Sequence, residues 1–258
     1  MSAAGDGASA PAGVRDEELR LTSNFITRLT APFREFGFAG VLYGLDRVLQ
    51  AMSPRLRLHV YELMVQPVAE APLLPERFAR NFQYRQIVRG DPEVASMPAR
   101  ADIKNSRFDQ GAICLGAFRK ERLIGYIWFC CDAYEEDEVR CTFDLTPKGR
   151  VVFDFDLYIF PEHRNGTAFA GIWQGANAFL RARGVQFSCS RLGRFNLASR
   201  RAHSRLGGTR LGRALFLQAW NVELMVATTY PYLGASWSAR QRIRIPMHAR
   251  AHPAVTGS

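Results

Sequence analysis

Two stretches of the chain hold residue types whose spacing suits proton transfer beside an anionic ligand. The first, FDFDLYIFPEHRNGTAFAGIW, covers residues 153–173. Its opening half alternates as a strand does, with Phe153, Phe155, Leu157 and Ile159 on one face and Asp154, Asp156, Tyr158 and Phe160 on the other. Pro161 lacks an N–H donor and stops the ladder. His163, Arg164, Asn165, Gly166, Thr167 and Ala168 then lead into helical periodicity. A small-residue loop that opens a helix presents unpaired amides, and the helix dipole favours an anion there. Pyrophosphate is a natural ligand; an ordinary strand-to-helix turn is the alternative.

The second stretch, RFNLASRRAHSRLGG, covers residues 194–208. Counting from Asn196, Ser199 stands at +3, His203 at +7 and Gly207 at +11. Asn196 is placed to cap a short helix, on which Ser199 and His203 share a face. An unperturbed imidazole, with a pKa of about 6.5, is roughly a quarter protonated at neutral pH and can supply a proton.

Elements that would position these residues are legible around them. An amphipathic helix is expected over 39–52, with Val41, Leu42, Leu45, Val48, Leu49 and Met52 on one stripe that suits packing against a core. A strand is expected over 57–65, a helix over 76–87, loop over 90–107, and strands over 112–118, 123–131 and 141–145. After the strand at 151–160, the pattern predicts a helix over 166–183 stopped by Gly184, a strand over 185–192, a helix over 197–206 and two strands at 210–218 and 222–228. This order predicts an α/β fold with a mixed sheet covered by helices, and it lacks the regular βαβ alternation of a dinucleotide domain.

Together the two stretches resemble the GNAT N-acetyltransferase superfamily. Its loop motif, Gln/Arg-x-x-Gly-x-Gly/Ala, is matched here at Gly166 and Ala168, with His163 in the first position and Arg164 beside it. Its later motif, Asn-x-x-Ala/Ser with Tyr at +7 and Gly at +11, is matched by Asn196, Ser199 and Gly207, with His203 in the tyrosine position.

The resemblance spans about residues 112–228. It implies an acyl-CoA N-acyltransferase fold with an N-terminal helical extension. Acetyl-CoA or another acyl-CoA would sit in a V-shaped opening between the strands ending at Phe160 and near Leu192. Amides of Asn165 to Phe169 would hold pyrophosphate, and the backbone of Tyr158, Ile159 and Phe160 would pair with pantetheine. Asn196 and Ser199 complete the binding set.

In such a site an amine attacks the thioester directly, His203 serves as the acid for the departing thiolate, and Asp156 serves as the base, with Asp154 as second choice. For either aspartate, acceptor recognition or pairing with an arginine is the competing role. A backbone N–H near Phe160 would polarise the thioester carbonyl.

Composition bounds the rest. The 258 residues carry a formal charge of +10, and every basic residue except Lys104, Lys120 and Lys148 is arginine. That balance suits an anionic ligand without choosing one. Dispersed basic residues without a nucleic-acid motif argue against nucleic acid as partner. No metal is expected, since the five cysteines have neither CxxC spacing nor neighbouring histidines. Reduced thiols suggest a cytoplasmic protein. No run of 18 apolar residues predicts a membrane-spanning helix.

The expected organisation is a disordered leader over 1–18, N-terminal helices and the first strand over 19–110, the acyl-CoA core over 111–239 and a basic disordered tail over 240–258. The acceptor, a small-molecule or protein amine, stays open, as do an acyl carrier protein as donor, a homodimer and a non-catalytic CoA-binding module.

Overall fold

The computed structural model describes residues 38–164, 166–193, 196–238 and 240–249. The chain divides into two compact units, Met1–Leu58 and His59–Ser258. In the first, helix α1 (Phe38–Met52) forms where the stripe predicted it, but Val41, Leu45, Val48 and Met52 are exposed and are not packed against a core as expected.

The second unit is built on a nine-stranded mixed sheet in the order β11-β10-β9-β1-β8-β7-β4-β3-β2. Its strands are β1 (Leu56–Pro67), β2 (Gln83–Ile87), β3 (Ile113–Arg119), β4 (Arg122–Cys131), β7 (Val151–Ile159), β8 (Phe187–Gly193), β9 (Thr209–Ala219), β10 (Val222–Ala227) and β11 (Leu233–Ser236). A second sheet, in the order β12-β6-β5, joins β5 (Ala133–Glu135), β6 (Cys141–Thr146) and β12 (Ile243–His248).

Each face of the large sheet buries its own apolar cluster. One contains Tyr61, Leu63, Trp128, Phe153 and Phe155 and is closed by Tyr134, Phe143 and Ile245 of the small sheet. The other contains Ile124, Ile127, Phe129 and Val152 and packs against helix α5 (Ala168–Arg181) through Ile172, Trp173, Ala176 and Leu180. Two glycines let α5 approach closely. A Cβ on Gly171 would lie 2.3 Å from the Phe82 ring, and one on Gly175 would lie 2.2 Å from Tyr84. The Tyr84 hydroxyl donates to the Gly171 carbonyl at 2.7 Å, fixing that approach. Gly184, at φ 75, ends the helix where the sequence placed its stop.

Four expectations change. The helix expected over 76–87 is a short helix α2 (Glu76–Ala79) followed by β2. The expected loop over 90–107 contains helices α3 (Pro92–Ser96) and α4 (Ala101–Asp109). α4 lacks an apolar stripe because its buried residues are Lys104 and Arg107. Lys104 Nζ donates to the Val94 and Met97 carbonyls at 2.7 and 3.2 Å, so polar bonds hold the helix where apolar packing usually would.

β11 was not expected at all. The tail was expected to be disordered from 240, yet 243–248 forms β12, parallel to β6. Ile243, Ile245 and Met247 alternate into the core, while the interposed Arg244 pairs with Asp144. Charge and Pro246 hid that alternation, and an edge strand tolerates the proline. The leader at 1–18 lies outside the described residues. Among those described, no helix is long and apolar enough to cross a membrane.

Candidate active site

β7 and β8 run parallel but pair only at Val151–Phe187, Val152–Ser188 and Phe153–Cys189. Beyond Phe153 they part, which opens the sheet on the side where the V-shaped opening was expected. The path of β7 changes at the same place. Against β4, Phe155 pairs with Trp128 and Tyr158 with Tyr126, so Asp156 and Leu157 together oppose Ile127. Asp156 takes the left-handed φ of 46, and the extra residue forms a β-bulge.

The bulge corrects the alternation read from the sequence. Phe153 and Phe155 keep one face, but Leu157 and Ile159 move to the other, where they join the α5 cluster, while Tyr158 packs against the first cluster.

A cavity of about 490 Å³ lies at this opening, lined by Leu157, Tyr158, Ile159, Arg164, Phe169, Asn196, Ser199 and His203 among others. Seven residues expected in the site, all of these except Leu157, therefore meet there. Helix α6 (Leu197–Arg205) supplies its share as the spacing required. The Asn196 side chain accepts from the Ser199 N–H at 3.0 Å, and His203 lies one turn beyond Ser199.

The loop before α5 keeps its anion-ready character. Gly166 has φ 143, Thr167 stands at the N-cap position without a side-chain cap, and the first turn holds no acidic residue. Gly171 N–H donates to the Thr167 carbonyl at 2.8 Å, so the amides of Ala168, Phe169 and Ala170 precede the first intrahelical bond and have no helical partner among the described residues. Arg119, at the end of β3, donates from Nη2 to Thr167 Oγ1 at 2.7 Å. Its buried Nε has no hydrogen-bond partner among the described residues. Of the two cationic candidates in the loop, Arg164 lines the cavity, with Nε bonded to the Ile159 carbonyl at 3.0 Å. His163 closes the short turn Pro161–His163, its N–H donating to the Phe160 carbonyl at 2.8 Å. Asn165 lies outside the described residues.

Three chemical expectations need correction. The Phe160 N–H donates to the Ile124 carbonyl at 3.1 Å, so it is committed to β4 and is not an oxyanion donor. Asp156 is ion-paired with the buried Arg107, which also binds Asp137 at 2.6 Å. The arginine-pairing role therefore describes Asp156 better than a free base. Asp154 is buried and accepts from Ser188 Oγ at 2.5 Å; burial pushes its carboxyl up to about 7.

His203 is also buried, with its ring edge-on to Trp173 at 5.8 Å between centroids. Burial lowers its pKa to about 4, so the ring is neutral at pH 7 and not the quarter-protonated acid expected of a free imidazole. Its Nδ1 lies 2.9 Å from Gln66 Oε1, an acceptor, which leaves the proton on Nδ1 and the lone pair on Nε2.

Gln66, Arg107 and Arg119 were missed by sequence reasoning. Gln66 left a signal, as the lone polar residue between Leu63 and Val68, whereas neither arginine stands in a motif.

No protein-family model matches this sequence, and no curated protein shows significant similarity to it. Solved structures do. A tandem GNAT protein from the clavulanic acid biosynthesis pathway is 16% identical, with a TM-score of 0.43, over 63% of this chain and 53% of its own. A GCN5-related N-acetyltransferase from Kribbella flavida is 11% identical, with a TM-score of 0.43, over 68% and 63%. A functionally unknown conserved protein from Staphylococcus epidermidis is 10% identical, with a TM-score of 0.44, over 66% and 64%. The similar structures thus include GNAT acetyltransferases. This chain spans less than two thirds of the length of each of these three.

Proposed function

We propose that the chain is an acyltransferase that moves an acyl group from acyl-CoA to an amine. The observation that carries this reading is the parting of β7 and β8 beyond Phe153, with a cavity at the opening that gathers Leu157–Ile159, Arg164, Phe169, Asn196, Ser199 and His203. An extended thioester arm fits beside the unpaired end of β7. Its pyrophosphate fits the open amides of Ala168 to Ala170, with Arg119 alongside.

In the reaction the amine nitrogen attacks the thioester carbonyl carbon and the C–S bond breaks. The amine nitrogen loses a proton and the sulfur gains one. Held by Gln66 with its lone pair on Nε2, His203 suits accepting a proton or hydrogen bond better than donating one.

Calorimetry with acetyl-CoA, a long-chain acyl-CoA and an acyl carrier protein, followed by a thiol-release assay across amine classes, tests the reading. Binding of a CoA thioester with amine-dependent release is expected. Failure of every thioester to bind overturns it, and binding without release across a broad amine screen favours a non-catalytic module. His203→Phe is expected to lower turnover by about 10²–10⁴ with donor affinity nearly unchanged. Unchanged turnover would assign His203 to packing.

A further inference from the structure

The bulge in β7 is where the strand leaves its regular path, and one side chain from another element grips it. Arg107 comes from α4 and is among the most buried charged residues of the described chain, at 6% exposure. Its guanidinium lies over the rings of Trp128 and Phe155, 5.5 and 5.2 Å from their centroids. Nε and Nη2 bind Asp137 at 2.9 and 2.6 Å, and Nη1 binds Asp156.

Asp156 is the bulged residue itself, at φ 46, a left-handed conformation that aspartate and asparagine visit more readily than other side chains but only glycine adopts freely. Phe155, the residue before it, lies under the same guanidinium. Arg107 therefore holds the strand on both sides of the step at which Leu157 and Ile159 change face.

We propose that Arg107 is a positioning residue: by pairing with Asp156 it holds the β7 bulge that turns Leu157 and Ile159 into the cavity and parts β7 from β8. Asp156 then acts through backbone geometry and takes no proton. A regular strand would send Leu157 and Ile159 to the face of Phe153 and Phe155, as simple alternation requires, and the cavity would lose two of its walls. β4 is adapted to the bulged path. A Cβ on Gly125 would fall 2.5 Å from the Tyr158 carbonyl, a contact only glycine permits.

The functional consequence rests on the acyl-CoA reading, while the structural one does not. Two readouts separate them in the full-length protein: acetyl-CoA affinity by calorimetry, and hydrogen exchange at the Leu157 and Ile159 amides. Arg107→Met is expected to weaken acetyl-CoA binding about tenfold or more and to alter exchange at both amides. Glycine adopts the left-handed conformation without a partner, so adding Asp156→Gly to Arg107→Met should restore affinity to within about threefold of wild type. Asp156→Asn keeps an amide oxygen that accepts from Arg107 Nη1 and a side chain tolerant of that conformation, so the bulge is kept. Turnover should then fall no more than about threefold, whereas loss of a catalytic base would cost about a hundredfold or more.

Unchanged amide exchange in Arg107→Met overturns the proposal whether or not the wild type binds CoA. So does failure of Asp156→Gly to restore affinity to the Arg107→Met protein. A large loss of turnover in Asp156→Asn at unchanged affinity makes Asp156 the base and overturns it as well. If Arg107→Met does not fold, Arg107→Lys with Asp137→Asn, which leaves one cation for Asp156, should keep acetyl-CoA affinity within about threefold and exchange at both amides unchanged, and altered exchange there overturns the proposal. A wild type that binds no thioester, with exchange altered in the variant, removes the acyl-CoA reading and keeps the lock.

Discussion

On the face of the sheet covered by α4 and the small sheet, charges come in matched sets. Arg107 lies between Asp137 and Asp156, and Arg191 lies between Glu136 and Glu138 at 2.6 and 3.0 Å while stacking on Tyr61. On the face covered by α5 and α6, Glu62 is matched by Arg200 at 2.6 Å, but Asp154 and His203 are held without matching charges. Asp154 rests on a serine hydroxyl and His203 on an amide oxygen, and burial drives both toward their neutral forms. Ser190 Oγ, Trp173 Nε1 and Arg119 Nε are buried there without hydrogen-bond partners among the described residues, as the Tyr126 hydroxyl and Trp128 Nε1 are on the first face. Matched ionic sets shape backbone, and the bulge at Asp156 is their product. Unmatched polar groups cost stability unless something completes them, which is the condition of a site.

The sharpest way to break this contrast is to remove one member of a matched set. Arg191→Met leaves the Glu136 carboxylate, whose side chain is fully buried, without its bidentate partner. Breaking a buried pair on one side costs about 3–5 kcal/mol, and urea denaturation should register a loss of that size. A loss under about 1 kcal/mol would place this pair with ordinary surface ion pairs and dissolve the contrast.

The unmatched groups should respond in the opposite sense. Asp154 has its folded pKa raised to about 7 from 3.8, so the unfolded chain gives up its proton first. Stability from this group is therefore present below about pH 4 and lost as pH rises to about 7. Asp154→Asn should match wild type at low pH and exceed it by about 4 kcal/mol at pH 8, measured by denaturation across that range. A destabilised variant at pH 8 would show that the ionised carboxylate is needed.

For His203 the sign reverses. Its folded pKa is depressed to about 4, below the unfolded value near 6.5, so protonation favours the unfolded chain. Wild type should lose about 3 kcal/mol relative to His203→Phe as pH falls from 6.5 to 4, and the two curves should run parallel above pH 7. A parallel course down to pH 4 would mean the ring stays solvated.

These residues also mark how far the sequence was legible. The strand at β7, helix α5 with its Gly184 stop, and the Asn196 cap were readable because periodicity and capping are local. α4 was not, because the residues it buries are Lys104 and Arg107 and no apolar stripe announces it. The face of Leu157 was misread because a bulge adds a residue without changing composition. The state of His203 depends on Gln66, 137 positions away, and on burial that no spacing encodes. Local pattern placed the site's residues, and long-range contacts set their charge.

The smallest expected effect tests whether the unpartnered groups at the start of α5 are completed by an anion. Arg119 is half-buried beside the open amides of α5, with Nη2 on Thr167 and its guanidinium over the Phe82 ring at 4.3 Å. If it faces pyrophosphate, Arg119→Gln should raise the dissociation constant of CoA about tenfold, or about 1.4 kcal/mol, with turnover at saturating donor unchanged. The pantetheine fragment, which carries no pyrophosphate, should bind both proteins alike. Thr167→Val is the control: it removes the hydroxyl, keeps the cation, and should leave CoA affinity within about threefold. Equal weakening of CoA and pantetheine by Arg119→Gln would instead mean that the arginine shapes the start of α5 through Thr167, and that the open amides alone face the anion.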